Sequence, residues 1–266
     1  MNKVFFDLEW NTGFLDGNSF DEIIEIGAVK TDEEYRQIDG FRRLIRPVIY
    51  RKMNPYIQKI LAITMKDLQG EEPLASVAKA FFDWCGDCDT LIAWSGNDFG
   101  VLEKNLAHIG MKIPEQLGRY DVQMAYAYRT ENSIRNYALK AAVEAMELPE
   151  PEGQEYHDAY CDAQFTAAIG RALTERYGPL PAVEELQALK NTLPALANEF
   201  IVLLKETSVA CYVAVNDLTR GGEIIRGATY QQLLPLLAVA IIYLLLVMFF
   251  SWLVGKLERR LRSSDH

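Results

Sequence analysis

Over the first fifty residues the apolar positions fall in short runs rich in β-branched and aromatic side chains, a spacing that predicts strands. KVFFDLEW (residues 3–10) opens as a hydrophobic strand, EIIEIGAVKT (22–31) follows a polar, Gly-containing connection as a second, and IDGFRRLIRP (38–47) predicts a third. Together they predict an antiparallel meander at the start of a mixed sheet. The period then changes. NPYIQKILAITMKDLQG (54–70) breaks into short helical pieces, and PLASVAKAFFDW (73–84) has helical spacing with Pro73 near its first turn. TLIAWSG (90–96) predicts a short apolar strand leading into the helix DFGVLEKNLAHIG (98–110), which Gly110 closes. Residues 132–148 and 158–177 carry two further helical patterns, the second ending at Tyr177, Gly178 and Pro179. The pattern predicts one α/β domain over residues 1–180.

Beyond Gly178 the material changes. The apolar run from Leu193 to Leu204 is interrupted by Glu199 and stopped by Lys205 and Glu206, a poor membrane span by itself. A short polar region around NDLTRGGEIIRG (216–227) follows, so 181–232 reads as a linker with a partial helical segment. Residues 233–254, LLPLLAVAIIYLLLVMFFSWLV, hold 22 positions without a charge, enough for a helix to cross a bilayer. In the tail, residues 255–266, Lys256, Arg259, Arg260 and Arg262 supply a basic flank that the positive-inside bias places in the cytoplasm. The amino terminus has neither an apolar signal core nor a cleavage site, so the first domain is expected in the cytoplasm, tethered to the membrane by the helix at the other end.

Charge sharpens the division. Residues 1–186 hold 19 of the 27 Lys and Arg and 31 of the 37 Asp and Glu, a net charge of −12, whereas the remainder carries +2. Cys85, Cys88, Cys161 and Cys211 are too few for a disulfide framework in a chain of this size. The WCGDC sequence holding Cys85 and Cys88 follows a helix and precedes a strand, the reverse of a redox CxxC, and reads as a turn.

The residues with chemical potential are few. Asp7 and Glu9 lie two apart on the opening strand, so both carboxylates share one face and repel each other unless a cation sits between them. Asp98 follows the strand LIAW, at the carboxyl end where α/β folds gather ligands, although taken alone it favours ordinary helix capping. His157 and Asp162, in EYHDAYCDAQFTAAIG, fall at the mouth and in the early turns of one helix and can face a common pocket; an isolated His157 would read as packing.

The ordered set is more specific than its members. DLE at Asp7–Glu9, Asp98 in WSGND, and His157 with Asp162 as H-x4-D resemble the three motifs of the DEDDh (DnaQ-like, RNase H-like) 3′-5′ exonuclease superfamily. IIEIGAV and ILAITMKDL resemble the family's second strand and its I-x-x-LTGIT segment, and the likeness runs from Lys3 to Tyr177. Trp10 stands where many members have Thr, and WSGND replaces the commoner HNxxFD form. The resemblance implies an RNase H-like mixed sheet flanked by helices and two divalent ions, Mg²⁺ or Mn²⁺. It implies that Asp7, Glu9 and Asp162 hold the tighter ion, that Asp7 and Asp98 serve the second, and that His157 is the general base. Its reaction would be hydrolysis of single-stranded RNA or DNA 3′ ends, or of short oligonucleotides, to nucleoside 5′-monophosphates. A catalytically silent nucleic-acid-binding module is the rival, but it should have lost one of these five groups, and all five are present. Arg42, Arg43, Arg46, Arg51 and Lys52, or Arg129, Arg135 and Lys140, could meet phosphates or be solvated surface. Tyr120, Tyr126, Tyr128 and Tyr137 could stack on bases or pack helices.

Residues from about 186 onward resemble the carboxyl-terminal part of polar-amino-acid ABC transporter permeases, in LQALKNTLPALANEFIVLLKETS, NDLTRGGEII and the last helix with its LERRL tail. One span and one marginal segment cannot build a pore, because backbone in lipid must be satisfied by closed packing. The expectation is a fused remnant serving at most as an anchor, with remnant contact to transporter subunits as its one further role.

Overall fold

The computed structural model describes residues 2–61, 63–131, 136–149, 157–206, 218–231 and 233–262. Its first compact unit, Met1–Leu186, is built on a five-stranded sheet of order β3-β2-β1-β4-β5. Strands β1 (Lys3–Leu15) and β2 (Asn18–Thr31) form a long antiparallel hairpin, and β3 (Gln37–Leu44) extends it. Two short helices, α1 (Ile57–Ile60) and α2 (Met65–Leu68), and the longer α3 (Leu74–Cys85) lead to β4 (Thr90–Ala93), which pairs in parallel with β1. Helix α4 (Gly96–His108) leads to the edge strand β5 (Gly118–Asp121), and α5 (Val122–Glu131), α6 (Leu139–Ala145) and α7 (Ala159–Tyr177) complete the unit. The mixed sheet flanked by helices is the expected fold.

Strand alternation divides the core. Val4, Phe6 and Leu8 turn to one face, against Phe81 of α3 and Leu102 and Leu106 of α4, while Phe5, Val29 and Ile92 turn to the other, with Phe165 and Ile169 of α7. The hairpin runs five residues beyond the expected strand end at Trp10. Its distal arm, Asn11–Leu15, is held by pairing and by Thr12 Oγ1 donating to Asp21 at 2.7 Å, and Asp16 and Gly17 close it with φ of 50° and 81°. A bulge beside Glu9 shifts the register, and the Ile23 N–H donates instead to the buried Asn105 of α4 at 3.2 Å.

Three expectations change. The third strand stops at Leu44 rather than Pro47. Strand β5 and helix α5 had no distinct hydrophobic signal: Gly118–Asp121 buries only Tyr120 and stays ordered by pairing with β4. The 132–148 pattern contains the shorter α6, with residues 132–135 outside those described.

Gln187–Ser263 form a second unit, carrying most of α8 (Val183–Glu206) together with α9 (Leu218–Thr229) and α10 (Leu234–Arg262). The stretch expected as a polar connection is largely α9, whose Gly222 lies so close to α10 that a Cβ would come within 2.5 Å of Val239. Phe200 of α8 meets Phe250 of α10 edge-on, with ring centroids 5.5 Å apart. Among the described residues one helix segment, Leu234–Lys256, is long and apolar enough to cross a membrane, with a mean hydropathy of 2.7 and only 6 % of its most apolar window buried.

Candidate active site

Asp7 and Glu9 continue the Phe5 face of β1, the face that α7 covers, and their neighbours across β2 are Gly27 and Glu25. Gly27 is what lets α7 approach. A Cβ there would lie 2.1 Å from the Tyr160 amide nitrogen and 2.5 Å from the Ala159 carbonyl oxygen, so any side chain would lift the first turn of the helix off the sheet. That turn carries Asp162.

Asp158 caps α7, its Oδ1 accepting the Cys161 N–H at 3.0 Å. His157 precedes the cap with φ +70°, and its backbone N–H donates to Asp162 Oδ2 at 3.2 Å. Asp98 enters from the opposite side, in the first turn of α4, and accepts the Ser95 hydroxyl at 3.1 Å. Asp121, at the end of β5, fixes this turn by accepting the Gly96 N–H at 3.1 Å while it also accepts the Met124 N–H at 2.9 Å.

These elements converge on a cavity of ≈ 320 Å³ lined by Asp7, Glu9, Asp98, His157 and Asp162. Donor atoms of Glu9, His157 and Asp162 all lie within 4.8 Å of one another. The remaining wall is largely apolar, with Trp10, Ile57, Ile60, Leu61 and Leu139 among its residues.

The carboxylates are held far from their ordinary behaviour. Burial, then repulsion from Asp98, Asp162, Glu9 and Glu25, raises the pKa of Asp7 well above the usual range. Burial, then repulsion from Asp162, Glu25, Asp98 and Asp158, pushes Glu9 up to about 8. Burial pushes Asp162 to about 7, and burial pushes Asp98 to about 7 against the opposing pull of the Ser95 hydrogen bonds. Asp162 Oδ1 is buried without a hydrogen-bond partner. Hard oxygen donors crowded together, mutually repelling and incompletely satisfied, fit a divalent cation: its charge would reverse the repulsion and its coordination would occupy the orphaned oxygen.

All five candidate residues thus meet in one cavity. Sequence reasoning missed Glu25, Asp121 and Asp158 because nothing in the linear order ties them to it. Of the basic residues, Arg42 is engaged with two carboxylates, Glu25 at 2.8 Å and Asp158 at 2.5 Å. Arg129 donates to the Pro179 carbonyl at 2.8 Å, Lys140 lies 4.0 Å from Glu144, and Arg135 is outside the described residues. Tyr120 and Tyr126 are core residues; Tyr120 donates to the Pro181 carbonyl at 2.8 Å, and Tyr126 packs against Trp94 and Tyr137. Cys85, the last residue of α3, and Cys88, between that helix and β4, are buried free thiols, and burial pushes Cys85 up to about 12, which suits no thiolate chemistry.

A mixed sheet with an acidic pair on its first strand, a third acid after β4 and a His–Asp pair at the mouth of α7 defines the nuclease class. Residues 4–169 match the family model described as "Exonuclease" (RNase_T), and the chain belongs to that family. Among solved structures, the nuclease domain of 3′hExo, described as a DEDDh family member bound to rAMP, aligns with a TM-score of 0.57 at 17 % identity, covering 68 % of this chain and 94 % of that one. The E. coli exonuclease I complex with a dA16 oligonucleotide aligns with a TM-score of 0.53 at 18 % identity, covering 72 % of this chain and 43 % of that one. At these identities the likeness is one of fold.

Residues 187–263 match a second family model, "Binding-protein-dependent transport system inner membrane component". The glutamine transport system permease protein GlnP of Escherichia coli K12 is 33 % identical over 106 residues, 40 % of this chain and 46 % of that protein. The arginine transport system permease protein ArtQ of Bacillus subtilis is 37 % identical over 79 residues, 30 % of this chain and 36 % of that protein. The chain spans less than half the length of either permease.

Proposed function

We propose that the first unit is a metal-dependent 3′-5′ exonuclease that removes nucleoside 5′-monophosphates from single-stranded RNA or DNA 3′ ends or from short oligonucleotides. The observation that carries this reading is the convergence of Asp7, Glu9, Asp98, His157 and Asp162, from three separated stretches of chain, on one cavity. Asp7, Glu9 and Asp162 would hold one Mg²⁺ or Mn²⁺ ion, and Asp7 with Asp98 a second. Bound there, such ions would screen the phosphodiester charge, acidify water and stabilise the departing 3′ oxygen. His157 is exposed and beside Glu9 and Asp162, so its ring can take a proton from water in the cavity and pass it to solvent. The apolar wall of Trp10, Ile57, Ile60, Leu61 and Leu139 gives the terminal base a dry surface.

Residues 234–256 would tether this unit to the cell membrane with the nuclease on the cytoplasmic side. The support is an apolar helix left uncovered by protein and followed by a basic tail. The permease-like residues would serve at most as an anchor or a contact to transporter subunits.

The test is degradation of matched 5′-labelled RNA and DNA single strands by the detergent-solubilised chain, with Mn²⁺ or Mg²⁺ and with chelator, beside Asp7→Ala. The reading predicts a ladder of shortened 5′-labelled fragments that chelator and the substitution both abolish. Cleavage surviving both, or no cleavage by a folded, metal-binding protein, contradicts it.

A further inference from the structure

Arg42 lies on β3, a strand that contributes no residue to the cavity wall, yet its guanidinium joins β2, the strand paired with the one that carries Asp7 and Glu9, to the turn of α7 that brings His157 and Asp162 to that wall. Nε donates to Glu25 Oε1 at 2.8 Å, and Nη2 donates to Asp158 Oδ2 at 2.5 Å. Glu25 is fully buried on β2, directly across from Glu9. Asp158 uses its other oxygen to cap α7. On one side of that cap stands His157, in a left-handed conformation that a non-glycine residue holds only when its surroundings enforce it. On the other side stands Asp162, bonded back to the His157 amide. The chain of contacts therefore runs from the sheet beneath Glu9, through one planar fork, to the turn that carries both the His and the last Asp.

We infer that Arg42 is a positioning residue: its guanidinium, spanning Glu25 and Asp158, clamps the first turn of α7 to the sheet and so fixes His157 and Asp162 relative to Asp7 and Glu9. The inference rests on the hydrolytic reading above for its catalytic consequence, though not for its effect on cation binding. The geometry requires arginine. A lysine ammonium is a single point charge and cannot reproduce two divergent hydrogen bonds in one plane. Two other roles for Arg42 make different predictions. A phosphate-binding arginine would act on substrate affinity, and an arginine present only to neutralise buried Glu25 would be dispensable once Glu25 is neutral.

Three variants separate these roles, each measured for Mn²⁺ affinity by calorimetry, for kcat and KM on a 5′-labelled oligonucleotide, and for Tm. Asp158→Asn keeps a good helix cap but presents an amide where Arg42 needs an acceptor. Arg42→Lys keeps the charge and loses the fork. Glu25→Gln combined with Arg42→Gln removes the guanidinium together with the buried carboxylate it neutralises, and leaves only the part-exposed Asp158 without its ionic partner. The clamp predicts that all three lower Mn²⁺ affinity and kcat by about 10–100-fold, the range for outer partners of metal-site residues, with KM little changed. Tm should stay near wild type in Asp158→Asn and in the double variant. Full activity and affinity in Arg42→Lys or in the double variant would overturn the inference, as would a loss confined to KM. If the wild-type chain cleaves nothing, the hydrolytic reading falls, and the Mn²⁺ affinities alone decide the clamp: unchanged values in all three variants refute it.

Discussion

Asp7 is the residue on which every other acid in the cavity bears, since Asp98, Asp162, Glu9 and Glu25 all raise its pKa. Asp7→Asn should abolish cleavage, by about 100-fold or more given the several kcal/mol a metal ion contributes at 1.36 kcal/mol per tenfold. The same change should raise the Tm of metal-free protein at neutral pH, because a neutral amide is buried there without first taking up the proton that Asp7 needs; calorimetry and a cleavage assay on one sample check both directions. His157→Ala should lower kcat by roughly 10²–10⁴-fold while leaving Mn²⁺ affinity closer to wild type than Asp7→Asn does. Strand and helix spacing could place the acidic pair on one face and the His–Asp pair at a helix mouth, but the five residues were legible as one site only through their ordered resemblance to the exonuclease motifs. The supporting residues were not. Glu25 and Asp158 were not singled out and Arg42 read as one member of a basic cluster, because their meeting depends on three elements brought together by the fold.

At the scale of elements, the site depends on how closely α7 lies on the hairpin. Gly27→Ala should destabilise the first unit by about 1–3 kcal/mol, the cost of overpacking a tight contact, and should lower activity further by lifting Asp162 and His157. Urea denaturation followed by a cleavage assay tests this; a variant with wild-type stability and activity would show that the close approach is not needed. Helix α7 could be anticipated from its apolar spacing and its Gly–Pro end. By contrast, β5 is a four-residue strand specified by its neighbour β4, and the hairpin arm beyond Trp10 by cross-strand pairing, so neither carried a local signal. In α9 paired glycines and interspersed charges hid a helix whose Gly222 is selected by contact with α10.

For the whole molecule, the raised carboxylates make stability depend on pH in a definite direction. Below about pH 4 folded and unfolded chains are both protonated at these acids, whereas between about pH 4 and pH 8 the folded chain holds the extra protons, so its stability declines as pH rises. Metal-free protein should therefore melt at a lower temperature near pH 8 than near pH 5, as far as these groups are concerned, and Mn²⁺ should restore more stability at the higher pH. The apolar segment Leu234–Lys256 should keep the chain in the membrane fraction through high-salt and alkaline washes until detergent is added. Recovery in the soluble fraction would refute the tether. The two-part organisation was visible as a change of composition near residue 186, since acidic amphipathic elements and an uncharged run of 22 residues are different materials. The central claim, that the acidic cavity is a divalent-metal centre, is tested most directly by anomalous diffraction from crystals grown with Mn²⁺. The account predicts one peak among Asp7, Glu9 and Asp162 and a second between Asp7 and Asp98; a cavity without anomalous density at saturating Mn²⁺, or peaks only elsewhere, would contradict it.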